Sequence, residues 1–594
     1  MKFNFFWSPI KRSHLASILG PGSVVRAKNG ITALVGGLSE WEAHVPGLSN
    51  LSQFDQMNQK ERFLKQFKLR DPELESVLEV DYFISSQALS SSPDLARDWF
   101  IPMVRFPLAG VCSNNTCRRL TISEPDKAGI TWCDHCTSVK HGKKIRRKIL
   151  QLPFFLICSA GHIEEINWQE LVHDNCTHNC QSSKIKLLSG INMHSLNARC
   201  MDCECGFVSN DLNFTCSGQH PWFKGTPRTD CILPLTLVDR TNVLIYQPWI
   251  RSSILMPPKD NLNFALIDWL RNRDGFKDFD VASEKNWQGL IDSISRLDFD
   301  VSSDEIKKHV IYALSGSDSE NQDEKFENWR TREFEIMTSQ ADVNNKWEKK
   351  VLDHEVLILD SLEPKLFGNN GIFSSVSQIN MLTETRVLAG FNRNAAEVVN
   401  LDTLKSLLWG QESRRQNWLP GYRGYGEGIL FEINANLIAD WVSNVKGDVE
   451  ENRIKLSHTL AHLFISEAAI SSGYSLASIR DRIFSLENGR LGFLIYTAEA
   501  DEAGTLGGLV ELSNLDNLEN FVDSAIRAGR WCSQDPVCLV GSGNFQIDLQ
   551  AGACHQCVLL PETSCEIFNK ELDRALIFGC ADRGIKGFLQ SISA

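Results

Sequence analysis

The placement of cysteine constrains this chain more than any other feature. Of its eighteen cysteines, twelve fall between Cys112 and Cys231 and six between Cys532 and Cys580, and the three hundred residues between those blocks hold none. Dense cysteine in a short secreted chain reads as a disulfide framework, but this chain has 594 residues. Its N-terminus lacks an apolar stretch followed by a small-residue cleavage site, and no run reaches the ~18–20 apolar residues of a spanning helix. The expectation is a cytoplasmic protein away from the membrane, where closely paired cysteines are best explained as metal ligands.

Cys112-x4-Cys117 followed by Cys133-x2-Cys136 supplies two knuckles at ribbon spacing. Each pair can bite a tetrahedral Zn2+ from one turn while the intervening hairpin closes the site. Cys176-x3-Cys180 with Cys200-x2-Cys203 repeats the logic, with Cys205 competing for a place. Cys158, His162, Cys216, His220 and Cys231 are left over, either as a third site or as core cysteines and surface histidines. The C-terminal block reads Cys532-x5-Cys538-x15-Cys554-x2-Cys557-x7-Cys565. Five thiols compete there for four positions, and the expected ligands are Cys538, Cys554, Cys557 and Cys565, with Cys532 the alternate and Cys580 in the core. The cofactor expectation is two or three zinc ions. Four-thiolate sites are closed and activate water poorly, so these zincs read as structural.

His458 and His462 lie four apart on an expected helix, but Thr459 stands where HExxH has its glutamate, so a packed His face is favoured over a metal site. The glycine-rich 501–510 stretch matches neither a P-loop nor GxGxxG, and no Walker A, DEAD-type box or GxSxG elbow occurs. The chain therefore shows no nucleotide-hydrolysis machinery. One basic run follows the first knuckles: Lys140, Lys143, Lys144, Arg146, Arg147 and Lys148. In a chain of net charge −13, Lys143, Lys144, Arg146, Arg147 and Lys148 are the candidate phosphate contacts, although charge runs are usually solvated faces. Trp132 could stack on a base or fill the ribbon's small core.

The patterning predicts an α+β, multidomain chain. Residues 1–105 form an N-terminal region with a turn at Leu19–Ser23 and a strand near Ile31–Gly36. Residues 106–259 form a Cys-rich zinc-ribbon module. Residues 260–345 are acidic and helical, with Leu262, Leu266, Ile267 and Leu270, then Leu290, Ile291 and Ile294, at helical spacing and a loop at 316–323. A mixed α/β region spans 346–453. A zinc-binding α/β domain spans 454–594, with a helix at Ile454–Glu467 and a buried strand at Leu491–Tyr496.

The segments His458–His462, Leu494–Leu509, Cys532–Cys538, Ala553–Glu566 and Asn569–Arg574 resemble the MrfA-type zinc-binding (MZB) domain. That domain occurs at the ends of certain superfamily 2 helicases and in the DrmB family of the bacterial DISARM anti-phage system. The absence of a motor in this chain favours the DrmB family. Leu19–Val25, Phe154–Trp168, Ser217–Trp222, Arg240–Ser253 and Gly424–Glu432 are also similar in kind to that family's segments. The resemblance implies a non-catalytic subunit that pairs with a helicase, DrmA, as a heterodimer and meets DNA mainly through the complex. Two other readings compete. One is a stand-alone zinc-dependent nucleic-acid-binding regulator. The other is a zinc hydrolase or nuclease using His162, Glu164 and Glu165, or His458 and His462.

Overall fold

A computed structural model of the chain describes residues 5–10, 19–27, 30–42, 68–85, 99–122, 130–140, 143–174, 176–177, 180–188, 196–208 and 214–256. It further describes isolated residues between 266 and 281, then 283–296, 301–314, 322–338, 350–351, 354–355, 357–361, 371–394, 401–410, 417–498, 507–541 and 551–592. Most of the loop expected at 316–323 and most of the 501–510 glycine-rich stretch lie outside these residues, while the last two positions of that loop, 322 and 323, open the helix Gln322–Thr338. The architecture is α+β: the small sheets are antiparallel, while Tyr82–Ser85 runs parallel to 418–421. No helix among the described residues is long and apolar enough to cross a membrane.

The chain divides into two compact units, neither continuous in sequence. The first comprises residues 1–70, 78–251 and 386–422, and the second 71–77, 252–385 and 423–594. Two long strands, Phe373–Asn392 and Trp418–Ile433, each contribute residues to both.

The first unit holds several small antiparallel sheets. One orders Phe5–Ile10, Trp99–Arg105, Thr32–Val35 and Val24–Arg26. The turn read from the sequence closes with Ser23 N–H donating to the Gly20 carbonyl at 3.0 Å and feeds the last of these strands. Three further sheets carry the cysteines: Ala109–Cys112 with Lys143–Gln151 and Trp132–Lys140, Phe154–Ile157 with Pro234–Asp239, and Ile185–Leu187 with Asn197–Cys200 and Gly206–Val208. Val111, Phe154, Leu156, Trp168, Leu187 and Ala198 fill the core beneath them.

Among the described residues of this unit, a buried cation is answered by carbonyls, with no carboxylate on it. Arg393 is fully buried, and its guanidinium donates to the backbone carbonyls of Gly161 at 2.8 Å, Gly22 at 2.6 Å and Ile245. The Trp222 and Phe391 rings lie beside it, at 5.3 and 4.8 Å from their centroids. Burial pulls its pKa down to about 9, and the three acceptors offset that desolvation.

The second unit is organised by the helix Val449–Ser472, longer than the Ile454–Glu467 expected. Asp448 caps its start by accepting from the Glu451 N–H at 2.9 Å, and Gly473, at φ 77°, ends it in the left-handed conformation that glycine adopts without penalty. Leu456 through Ile465 are buried in an unbroken run. Such a helix is central rather than one-sided. It packs Phe464 against Phe431, Phe493 and Phe521. The strands Ile479–Ser485 and Leu491–Thr497 and the helix Leu515–Gly529 complete that core. Away from it, Arg482 is fully buried and donates to both carboxylate oxygens of Glu333 at 2.8 Å and to Ser252 Oγ. Leu266, Leu270, Leu290 and Ile294, read as helical from their spacing, meet Ile306 and Val310 in a separate small core.

Candidate metal centres

The first ribbon cluster forms where strands meet a knuckle. Cys112 ends the strand Ala109–Cys112, and Cys133 and Cys136 lie on Trp132–Lys140. Their sulfurs pair at 3.7 Å (Cys112 with Cys136) and 4.0 Å (Cys117 with Cys133). Asn114 donates its backbone N–H to Cys112 Sγ and its side-chain amide to Cys136 Sγ, both at 3.4 Å. Burial pushes the Cys112 thiol up to about 12, while Cys136, against what burial does to it, is pulled down by the Asn114 amide. Crowded thiols moving in opposite directions are competing for one negative charge, and a dication removes that competition. The residues fit zinc.

The second cluster is overfull. Cys176 lies 3.8 Å from Cys203 and 3.0 Å from Cys205, and Cys180 lies 4.0 Å from Cys200. His173 enters the same group with Cys180, Cys200 and Cys203. Its Nδ1–H donates to the Gln169 carbonyl at 2.7 Å, which leaves Nε2 as its remaining nitrogen. The Cys200 thiol is pushed up by burial but pulled down further, to about 6, by the N–H groups of Cys203 and Asp202 and by His173. Of the set expected from sequence, Cys180, Cys200 and Cys203 group with His173, which spacing did not offer, and Cys176 lies against Cys203 and the competing Cys205.

The leftover residues converge as well. Cys158, His162, Cys216 and Cys231 have their donor atoms within 4.8 Å of one another. Cys158 follows the strand Phe154–Ile157, and Gly161, at φ 87°, closes the turn that returns His162. His162 Nδ1 lies 3.3 Å from Cys158 Sγ and 3.4 Å from Cys216 Sγ, and Thr229 Oγ1 holds Nε2 at 2.9 Å. Burial lowers the His162 pKa to about 4, so the ring is neutral, as a ligand must be. Glu164 accepts from Ser217 N–H and Ser217 Oγ, fixing the loop that carries Cys216. His220 packs edge-on to His162 at 4.6 Å and is not among the donors. His162 and Glu164 are therefore tied into this thiol site, and Glu165 bonds the Ala109 N–H.

At the C-terminus the structure gathers Cys532, Cys538, Cys554 and Cys557. Cys532 lies 3.5 Å from Cys554, and Cys557 lies 3.7 Å from Cys538 and 3.6 Å from Cys554. Cys565, expected as a ligand here, sits instead against His458, and Cys532, the alternate, takes the fourth corner. The physical reason is local. Residues 532–538 form one knuckle, with Asp535 N–H on the Cys532 carbonyl and Cys538 N–H on Gln534, so both thiols face one point. Four thiolates on a dication carry a surplus negative charge, and the fully buried Arg574 answers it from Cys538 Sγ at 3.7 Å and Asp535 Oδ1 at 2.7 Å. Cys580 is buried.

The basic run lies on the strand Lys143–Gln151, which pairs with Trp132–Lys140 so that Arg147 stands opposite Cys133. A register irregularity between Ile145 and Arg147 interrupts the alternation, and Arg146, Arg147 and Lys148 are all exposed. The side chains of Lys143 and Lys144 lie outside the described residues. Trp132 is half-buried.

Residues 11–247 match the profile of a domain of unknown function, DUF8724, a span ending close to the first unit's boundary at residue 251. Across 570 residues the chain is 27% identical to the DISARM protein DrmB of Bacillus paralicheniformis, covering 88% of this chain and 96% of that protein. Over nearly its whole length, therefore, this chain is a relative of the DISARM protein DrmB.

Proposed function

We propose that this chain is a non-catalytic, zinc-binding subunit of a DISARM anti-phage complex, acting beside a superfamily 2 helicase of the DrmA type and helping it engage invading DNA. The observation that carries this reading is the resemblance to DrmB along both chains almost end to end. The metal clusters agree with it. Their donors are mostly thiols, buried or half-buried, and such closed sets hold loops in place rather than activate water. Residues 454–594, with the Cys532, Cys538, Cys554 and Cys557 set, are the proposed MZB domain. A net charge of −13 disfavours a free DNA binder, while the exposed Arg146, Arg147 and Lys148 beside the first zinc knuckle offer a local phosphate contact.

The test is to co-express the tagged chain with its neighbouring helicase gene and to measure complex formation, zinc content and DNA-stimulated ATP hydrolysis. A stable complex that hydrolyses ATP only when the helicase is present supports the reading. A chain that purifies alone, ignores the helicase and binds DNA in a salt-sensitive way is instead the stand-alone regulator. Cleavage of a substrate by the isolated chain would make it an enzyme.

A further inference from the structure

His458 and His462 do not merely pack a helix face. On the helix Val449–Ser472 they stand one turn apart with ring centroids 4.3 Å from each other, nearly perpendicular. Asp481 comes from the strand Ile479–Ser485 and Cys565 from the loop after the C-terminal knuckles. His458 Nε2 lies 3.0 Å from Asp481 Oδ2 and 3.1 Å from Cys565 Sγ, and His462 Nε2 lies 3.2 Å from the same Oδ2. Both histidines are fully buried, and Asp481 and Cys565 are each 2% exposed.

The hydrogen-bond partners of the two rings fix which nitrogens face the centre. His458 Nδ1 lies 3.1 Å from the Glu571 carbonyl and His462 Nδ1 lies 2.6 Å from the Val558 carbonyl. A carbonyl only accepts, so each Nδ1 carries the proton. Each Nε2 then faces the carboxylate in one of two forms. With a lone pair, acceptor is pressed against acceptor. With a proton on both, two imidazolium rings share one buried carboxylate and leave a net positive charge out of water, and with a proton on one alone the other ring still presses a lone pair on the carboxylate. A dication at the centre relieves every case: two neutral imidazoles, one carboxylate and one thiolate sum with it to zero. We infer that His458, His462, Asp481 and Cys565 form a further zinc site, separate from the four-thiolate centre at Cys532–Cys557.

Outer contacts orient the donors as they do around protein-bound metals. Asp481 Oδ1 accepts the Glu566 N–H at 2.7 Å, leaving Oδ2 for the centre. Cys565 Sγ accepts the Asn569 N–H at 3.1 Å, a bond that favours the thiolate. Thr459, in place of the HExxH glutamate, donates to the Lys455 carbonyl and accepts from Asp573 N–H, so it is committed to structure. Four protein donors and no exposure make the site closed, with imidazole, carboxylate and thiolate a donor set suited to zinc. It would tie the central helix to a strand and to the chain running on from Cys554 and Cys557, so that the segment 554–565 is held by metal at both ends.

The deciding measurement is an anomalous difference map of crystals of the full-length chain at the zinc edge. The expected result is a peak about 2.0–2.3 Å from both Nε2 atoms, Asp481 Oδ2 and Cys565 Sγ. Density at the Cys532–Cys557 centre and none here would overturn the inference. Zinc content gives a second reading: Cys565→Ala should lose one equivalent per chain while the thiolate centres keep theirs, and unchanged content would also overturn it. If that variant does not fold, the map on the unaltered chain still decides.

Discussion

Replacing Cys532 and Cys565 by serine, singly and together, separates two arrangements that the sequence spacing leaves interchangeable. In the structure Cys532 is a corner of the thiolate centre, 3.5 Å from Cys554, while Cys565 lies 3.1 Å from His458 Nε2. A structural zinc contributes about 10–16 kcal/mol, so one of four comparable ligands carries roughly 3 kcal/mol, or about two powers of ten in affinity. Cys532 is 1% exposed, so water does not readily replace its sulfur. The assay is chelator competition on cobalt-substituted full-length protein, in which the thiolate-to-cobalt absorption reports Co–S bonds. Cys532→Ser should weaken that absorption at the four-thiolate centre and shift its chelator midpoint by about a hundredfold. Cys565→Ser should leave that midpoint in place. Because the two sites share no ligand, the double variant should show the sum of the two single effects. The reasoning fails if Cys565→Ser shifts the same midpoint as Cys532→Ser and the double variant is no worse than either, since the two would then be alternates for one metal.

Three further outcomes are expected. Replacing Arg146, Arg147 and Lys148 by alanine in the helicase complex should lower the log–log salt slope of DNA binding by about three, read from anisotropy at several salt concentrations; an unchanged slope means that the hairpin touches no phosphate. Arg482→Met leaves the buried Glu333 carboxylate without the Nη1 donor that both its oxygens share and should destabilise the second unit by about 3–5 kcal/mol in urea unfolding, with Glu333→Leu restoring much of the loss when added. Burial raises the Asp71 pKa to about 6 from 3.8, so its folded form holds a proton that the unfolded chain releases. Its contribution is full below pH 3.8 and is lost as pH rises through about 6. Asp71→Asn keeps the Leu74 N–H cap and should make the protein more stable at pH 7 by up to about 3 kcal/mol; no gain would show that burial does not raise the Asp71 pKa in the native chain.

What was legible in the sequence follows from how far apart a site's parts lie. Cys112 with Cys117, and Cys133 with Cys136, each sit within one turn, so spacing alone pairs them. The Cys158, His162, Cys216 and Cys231 group was only one alternative, because Phe154–Ile157 and the neighbourhood of Cys216 meet through their shared pairing with Pro234–Asp239. Cys565 falls at a plausible spacing after Cys557, yet its sulfur is drawn to a helix a hundred residues earlier in the chain. His458 and His462 were visible as a pair, but Asp481, which gives them a common target, carries no motif. The α+β class and the apolar rows at Leu266–Leu270 and Leu290–Ile294 were readable from local periodicity. The return of residues 386–422 to the first unit was not, since no local signal encodes a long-range strand pairing.

That return has a consequence for the protein's birth on the ribosome. Gly22, Gly161 and Ile245, whose carbonyls receive Arg393, are all synthesised well before it, and residues 252–385 of the other unit come in between. Nascent chains generally fold N-terminal domains first. Here the first unit must wait, with three interior carbonyls unanswered, until residue 393 has emerged. Every cysteine from Cys112 to Cys231 is available earlier. A metal held by those thiols would therefore be bound before the unit's own core closes, and would keep the unfinished unit in register while the second is being made.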